Sequence, residues 1–433
     1  MYKNMRYIFF YPSINIGGAQ LLFARIAEAL IKNGYNVLII EQSKCFIHNY
    51  LDERNLKFDT FQVVRPNKFH LEQNDLLILP LSYIFIFRKF IIPHKDSRLF
   101  FWDLHPYNLV DTTAFSKIYK NFPDRWISLF AMLIERDFLN KMRRFVTVAD
   151  KYNAIYFMSL SNFITNKKVF KLDIEPKFLQ IPIEINPPTQ KQRGRIFNNN
   201  NIDRQNILKI GWISRMDEDK VPILMLLIDD IILFNKKRYP LKIQLHAIGN
   251  GTAFNKIITK KNAIGDDLIL PGILQGLELD KYLAENIDIG FSMGTAALEF
   301  ASRKIATVLV PSTTCFKVFN KEKKRYLWLH DSFGYDVAVE KYHANRSKDF
   351  ETIVNEFLEQ MENLSDQSFN YISNNHSFKI TFERFLEFTE RSTLSYSYLY
   401  DIGVFNISVW QHLLRFLKNN FKRLMTGVFR MAI

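Results

Sequence analysis

Two cations five positions apart are of a type and spacing that could hold an anion. Arg215 and Lys220 lie in Gly211-Trp-Ile-Ser-Arg-Met-Asp-Glu-Asp-Lys220, directly after an apolar run. A guanidinium fork and an ammonium point charge across one turn suit a diphosphate, which gains negative charge when its bond to a sugar breaks. The acids Asp217, Glu218 and Asp219 offer the plainer reading of a basic pair neutralised at the surface. Glycine turns recur at Gly17-Gly18, at Gly249-Asn250-Gly251 and at Gly294, each between an apolar run and a helical pattern. Such a turn leaves the first N–H groups of a helix available to an anion. It serves equally as an ordinary strand-to-helix connection. Thr295 and Ala296 open the helix after Gly294. Glu299 follows one turn in, where a carboxylate accepts hydrogen bonds from sugar or ribose hydroxyls and also suits the helix dipole. In Phe100-Phe-Trp-Asp-Leu-His105-Pro, His105 is a candidate polar group with Asp103 two residues before it. The alternative is a histidine at a strand end beside Pro106.

These residues need elements to position them. Apolar runs at residues 6–11, 36–41, 61–64, 76–79, 98–102, 144–148 and 155–158 read as buried strands. Helical patterns at 19–33 and 125–136 lie between them. Residues 185–206 are polar, asparagine-rich and proline-bearing, a linker composition. Alternation restarts with strands at 208–213, 242–248, 268–270, 287–291 and 306–310. Helices are expected at 221–234, 253–260, 279–285 and 295–303. Buried strands alternating with helices predict an α/β fold of two doubly wound, Rossmann-like domains facing across a cleft. The expected boundaries are 1–185, a linker at 186–206, a second domain at 207–390, and a tail at 391–433. In such sheets ligands bind outside the carboxyl ends of the strands, where the turns above lie.

Composition narrows the partners. The 433 residues suit two cores, and the 48% hydrophobic and 24% charged fractions are those of a globular protein. A net charge of +14 favours anionic partners. No nucleic-acid motif accompanies it, so nucleic acid is not expected. Cys45 and Cys315 form no metal or redox pattern, and no Asp-x-Asp pair occupies a suitable turn, so neither a metal nor a cofactor is expected. The run 76–92 contains Pro80, Arg88 and Lys89 and is too charged to span a bilayer. With no signal-peptide pattern at the start, a cytoplasmic protein is expected. Residues 406–433 carry no acid, and Trp410, Leu413, Leu414, Leu417, Phe421, Leu424 and Val428 recur at helical spacing. A basic amphipathic tail of this kind reads as an element for an anionic membrane surface, or as a helix docked on the protein's own core.

The ordered set of turns resembles the GT-B glycosyltransferases, especially the large retaining family 4 that builds bacterial surface glycans. Gly17-Gly18-Ala19-Gln20 is similar to that family's glycine turn, and Arg215…Lys220 to its phosphate clamp. Ile248-Gly-Asn-Gly251 is similar to its Gly-x-Gly turn. Leu270-Pro-Gly-Ile273-Leu resembles the piece that holds the nucleotide base through backbone groups, and residues 288–301 its signature helix. The resemblance implies a nucleotide-diphosphate sugar donor, with phosphate or sugar at Gly17, Gly18, Gly249, Gly251, Gly294, Thr295 and Ala296, base at Ile273 and ribose at Glu299. It implies catalytic roles for Arg215 and Lys220, and for His105 beside the donor sugar. A glycan or lipid-linked acceptor and a retaining reaction follow from the same resemblance; a metal-independent reaction is expected from the missing Asp-x-Asp turn, and a peripheral place at the inner face of the cytoplasmic membrane from the basic tail.

One departure matters. The family signature is Glu, seven residues, Glu, but Phe291 stands eight positions before Glu299. The alternatives to a transferase are therefore a non-catalytic GT-B-like subunit of a glycan-assembly complex and a sugar-nucleotide 2-epimerase. The second would need a richer set of cleft carboxylates and histidines than this sequence holds.

Overall fold

The computed structural model describes residues 5–12, 18–42, 46–63, 67–121, 126–185, 207–237, 241–414 and 416. Gly17, Cys45, the 186–206 linker and the tail beyond 416 lie outside these described residues. The chain divides into two compact units, Met1–Gln180 with Phe382–Ile433, and Ile181–Thr381.

The first unit is built on β1 (Arg6–Phe10), β2 (Asn36–Glu41), β3 (Asp59–Gln62), β4 (Phe69–His70), β5 (Asp75–Pro80), β6 (Ile91–Ile92), β7 (Arg98–Asp103) and β8 (Ile155–Phe157). Six of these form one sheet in the order β3-β2-β1-β5-β7-β8, while β4 and β6 pair separately. All pairings in the six-stranded sheet are parallel. Strands such as Leu76–Leu79 are buried throughout because helices cover both faces of such a sheet. The order turns back between β1 and β5, so the carboxyl ends of those strands mark the switch point.

Residues 144–148, expected as a strand, belong instead to the helix Arg136–Lys151. Phe138, Leu139, Met142, Phe145, Val146 and Ala149 are its buried residues, at spacings of three and four. That period places one apolar stripe on a helix, and the short apolar run is only a section of it.

The C-terminal boundary also differs from the sequence expectation of 390. From Phe382 the chain packs with the first sheet. Phe385 is fully buried, with its ring 5.8–6.5 Å from those of Tyr7, Phe9, Phe100 and Trp102. Phe388 stacks on Tyr156 at 4.2 Å. Leu394, Leu399, Val404 and Phe405 pack in the core on the other face of that sheet, with Ile8, Phe10, Leu99 and Phe101, so residues 391–405 belong to the first unit rather than to a separate tail.

The second unit contains β9 (Ile207–Ile213), β10 (Lys242–Ile248), β11 (Leu268–Gly272), β12 (Ile289–Ser292), β13 (Ala306–Leu309) and β14 (Leu327–Trp328). Their order is β11-β10-β9-β12-β13-β14. Only the β13–β14 pairing is antiparallel. The switch point lies between β9 and β12. There Gly211 and Gly290 are register partners, and a Cβ on either would meet the Phe300 ring at 2.4–2.9 Å. The glycine pair lets the helix Thr295–Ser302 lie close against the sheet, which fixes where that helix begins. Two parallel-cored, doubly wound units are the α/β architecture expected from the sequence.

Candidate nucleotide-sugar site

In the second unit the turn after β9 carries Arg215 and Lys220. Its backbone is stitched to the turn after β10: Ser214 donates to Ile248 O, Met216 to Asn250 O, and Ala253 to Met216 O, at 2.9–3.1 Å. The two glycines make that approach possible. Gly249 has φ +132°, and a Cβ there would stand 2.0 Å from Ser214 O. A Cβ on Gly251 would stand 2.5 Å from the Met216 carbonyl carbon. The space these glycines leave open is filled by the chain's own Ser214 and Met216 backbone and the Asp217 side chain. Their role here is to hold the Arg215–Lys220 turn in place.

Asp217 organises that turn. Its Oδ1 accepts from the Thr252 N–H at 3.1 Å and from the Thr252 hydroxyl at 3.2 Å, and Oδ2 lies 3.5 Å from Arg215. The backbone bond from Thr252 is the main cause holding its carboxyl below the usual range, with the Thr252 hydroxyl and the Arg215 charge adding to it. The Arg215 side chain is 74% exposed, so its attraction to Asp217 is weak and readily exchanged for a phosphate.

Lys220 differs. Its ammonium contacts Met293 Sδ at 3.2 Å, with no carboxylate at ion-pair distance among the described residues. Burial pushes its pKa down; Asp219 opposes that shift and the Arg215 charge adds to it. A half-buried ammonium with no carboxylate at ion-pair distance among the described residues can take an anion as partner.

Met293 immediately precedes Gly294, so Lys220 reaches the start of the helix Thr295–Ser302. Gly294 holds φ +68° and ψ −147°, a conformation reserved for glycine. Its N–H donates to Val337 O at 2.7 Å. The anion-binding amides expected at this end thus reduce to those of Thr295 and Ala296, which receive no side-chain cap. Ser292 Oγ donates to Ile213 O at 3.0 Å and ties the two turns together across the switch point.

Glu299 is half-buried on the same helix. Oε2 accepts from Arg303 at 2.6 Å, and Arg303 also pairs with Asp280. Burial opposes the guanidinium charge, but the two carboxylates together raise its pKa. Arg303 thus fixes the Glu299 rotamer, a partner not singled out from the sequence although its i, i+4 spacing was visible there. Phe291 lies inside β12, fully buried, with its ring 5.4 Å from Tyr326 and 5.7 Å from Phe350. The position of the family's first Glu is therefore core in this chain. Ile273, beyond the end of β11, is 61% exposed.

Three residues after Val337 in the chain, Glu340 accepts from the Cys315 thiol at 3.1 Å. Burial raises this carboxyl to about 7, and burial likewise raises the thiol to about 12. Among the described residues no group of three or more His, Cys, Asp or Glu is placed to hold a metal ion.

In the first unit Gly18 opens the helix Gly18–Lys32, and a Cβ there would meet nothing within 4 Å. His105 is exposed just past β7, and its Nδ1 accepts from the Tyr107 N–H at 3.2 Å. Asp103 points the other way: it is fully buried, and Oδ2 accepts from Asn166 at 2.7 Å. Burial pushes its carboxyl well above the usual range, opposed by the His105 backbone N–H and Asn166. Asp103 anchors the turn rather than the imidazole.

No protein-family model and no curated protein matches the sequence. Solved structures do resemble it. HepE of Anabaena, in complex with UDP and glucose, is 11% identical with a TM-score of 0.54, covering 89% of this chain and 99% of its own. A TarM variant from S. aureus in complex with fondaparinux, α-GlcNAc-glycerol and UDP is 12% identical with a TM-score of 0.51, at 89% and 99% coverage. Trehalose-6-phosphate synthase, studied for glycosyltransfer with retention, is 11% identical with a TM-score of 0.51, at 90% and 99% coverage. At these identities the likeness concerns the fold, and that fold is the one shared by GT-B glycosyltransferases.

Proposed function

We propose that the chain is a glycosyltransferase whose second unit binds a nucleoside-diphosphate sugar. Lys220 is the observation that carries this reading: a desolvated ammonium held against Met293, beside a helix N-terminus at a sheet switch point. When the bond from the anomeric carbon to the diphosphate breaks, its electron pair goes to the leaving phosphate. Arg215, Lys220 and the Thr295 and Ala296 amides neutralise that charge without a metal ion. The acceptor hydroxyl takes the place of the diphosphate and gives up its proton to it. Glu299, held by Arg303, receives the ribose; backbone groups near Ile273 receive the base. His105 and the Gly17-Gly18 turn act at the sugar end, as the family resemblance assigns them.

The donor class is supported by the UDP bound in HepE and TarM, and retention by the resemblance to family 4. The acceptor is a surface glycan or a lipid-linked precursor, met at the inner face of the cytoplasmic membrane with help from the basic C-terminal tail. Among the described residues no helix is long and apolar enough to cross a membrane. The buried Phe291 favours one second reading, a subunit that binds nucleotide without turnover. Released nucleoside diphosphate from a panel of nucleotide sugars tests both. Turnover lost in Lys220→Met supports the transferase. Diphosphate binding with no release from any donor, with or without added glycan, supports the non-catalytic subunit.

A further inference from the structure

The helix Trp126–Ile134 in the first unit is built inside out. Its small residues Ser128 and Ala131 are the buried ones. Trp126 is 87% exposed, Leu133 70% and Phe130 64%, and Ile127 and Leu129 are exposed as well. At 3.6 residues per turn these five side chains share one face about 160° wide. An ordinary surface helix places its large apolar side chains inward and polar ones outward. Here the outward face has no polar member.

A second element extends the patch. Residues 409–414 are helical, and Val409, Trp410 and Leu413 are exposed there, with Phe416 exposed just beyond. Gln411 and Leu414, by contrast, face inward. Trp410 Nε1 donates to Ile134 O at 3.4 Å. Both elements are fixed from below by Glu135, a buried carboxylate that accepts from the Ala114 N–H at 2.7 Å, the Phe115 N–H at 3.2 Å, the Tyr119 hydroxyl at 3.0 Å and Gln411 Nε2 at 2.8 Å. The exposed side chains thus stand on a rigid mount.

We propose that this double face inserts into the interfacial layer of an anionic phospholipid bilayer, with the helix Trp126–Ile134 as its main wedge. Charge selects this occupant. The chain carries +14 overall, and residues 406–433 add Arg415, Lys418, Lys422, Arg423 and Arg430 with no acid. A chain of this charge repels a second copy of itself and is complementary to an acidic lipid headgroup layer. Tryptophans beside an unbroken apolar face suit the bilayer interface, where one side of the ring is apolar and the other wet. The wedge stands independently of the transferase reading, because it lies outside the nucleotide-sugar site.

The test is co-sedimentation of the full chain with phosphatidylglycerol-containing vesicles and with pure phosphatidylcholine vesicles. The wild type is expected to pellet with the first and much less with the second. Phe130→Ser with Leu133→Ser is expected to lower the bound fraction roughly tenfold or more, with the tail intact and the melting temperature unchanged. Quenching by brominated lipid gives a second readout on otherwise native protein: it is expected in the wild type and strongly reduced in Trp126→Phe with Trp410→Phe. Unchanged vesicle binding in the serine variant, or a wild type that does not pellet with the phosphatidylglycerol vesicles, whether or not it forms a dimer broken by these substitutions, overturns the proposal.

Discussion

Replacing Lys220 by methionine is expected to move stability and ligand affinity in opposite directions. The ammonium sits 3.2 Å from a thioether, and burial depresses its pKa, with the Arg215 charge adding to the shift and the Asp219 charge opposing it. Methionine keeps the length of the stem and removes the charge, so the ligand-free protein should hold its stability or gain up to about 1 kcal/mol. The diphosphate loses a charge-assisted partner at about 1.5–3 kcal/mol, a fall in affinity of roughly 10- to 150-fold. Proton linkage gives a second handle. Binding an anion favours the ammonium, so affinity falls as pH rises through the lowered Lys220 pKa, below its ordinary 10.5. That pH dependence should disappear in Lys220→Met. Calorimetric titration with a nucleoside diphosphate across pH, with thermal melts of the free proteins, reads all three quantities. A variant that melts well below the wild type and binds diphosphate equally well would refute the reasoning, since Lys220 would then be a structural residue.

Other residues make separate predictions. Gly249→Ala places a Cβ 2.0 Å from Ser214 O at φ +132°, so it should cost about 2–4 kcal/mol and lower diphosphate binding with it, read by denaturant melts and titration. Glu299→Ala should bring the affinities for a nucleoside diphosphate and its 2′-deoxy form close together, because the ribose loses its acceptor; a preserved preference would place the ribose elsewhere. Phe385→Ala should destabilise the first unit by about 3–5 kcal/mol, since the ring fills an aromatic nest with Tyr7, Phe9, Phe100 and Trp102, and hydrogen exchange should localise the loss there.

Much of the architecture was legible because buried parallel strands are short apolar runs and their helices are amphipathic. The strands after which Arg215, Gly249 and Gly294 follow were found within a residue or two. Residues 144–148 misled because five apolar-rich positions do not separate a strand from a section of helix Arg136–Lys151. The return of Phe385 to the first sheet depends on contacts nearly three hundred positions or more away in sequence from Phe9, Phe100 and Trp102, which no local pattern encodes. In the site, what lies closest to Gly249 and Gly251 is the chain's own Ser214–Met216 backbone, which comes from another turn and leaves no local mark in the sequence. Gly294 signalled the helix start, yet its N–H is taken by Val337 O, a partner more than forty positions away. The helix Trp126–Ile134 was expected, but not which of its faces is exposed: its one polar residue, Ser128, is buried, so no polar residue marks the outward face.

On the proposed function, the second unit recognises the diphosphate of a nucleotide sugar through Lys220, Arg215 and the helix at Thr295. Thermal-shift titration with nucleoside diphosphates and their monophosphates tests it most directly. At least one diphosphate should raise the melting temperature well above its monophosphate, and Lys220→Met should close that gap. Equal shifts for the two, or no shift from any diphosphate, would contradict the account.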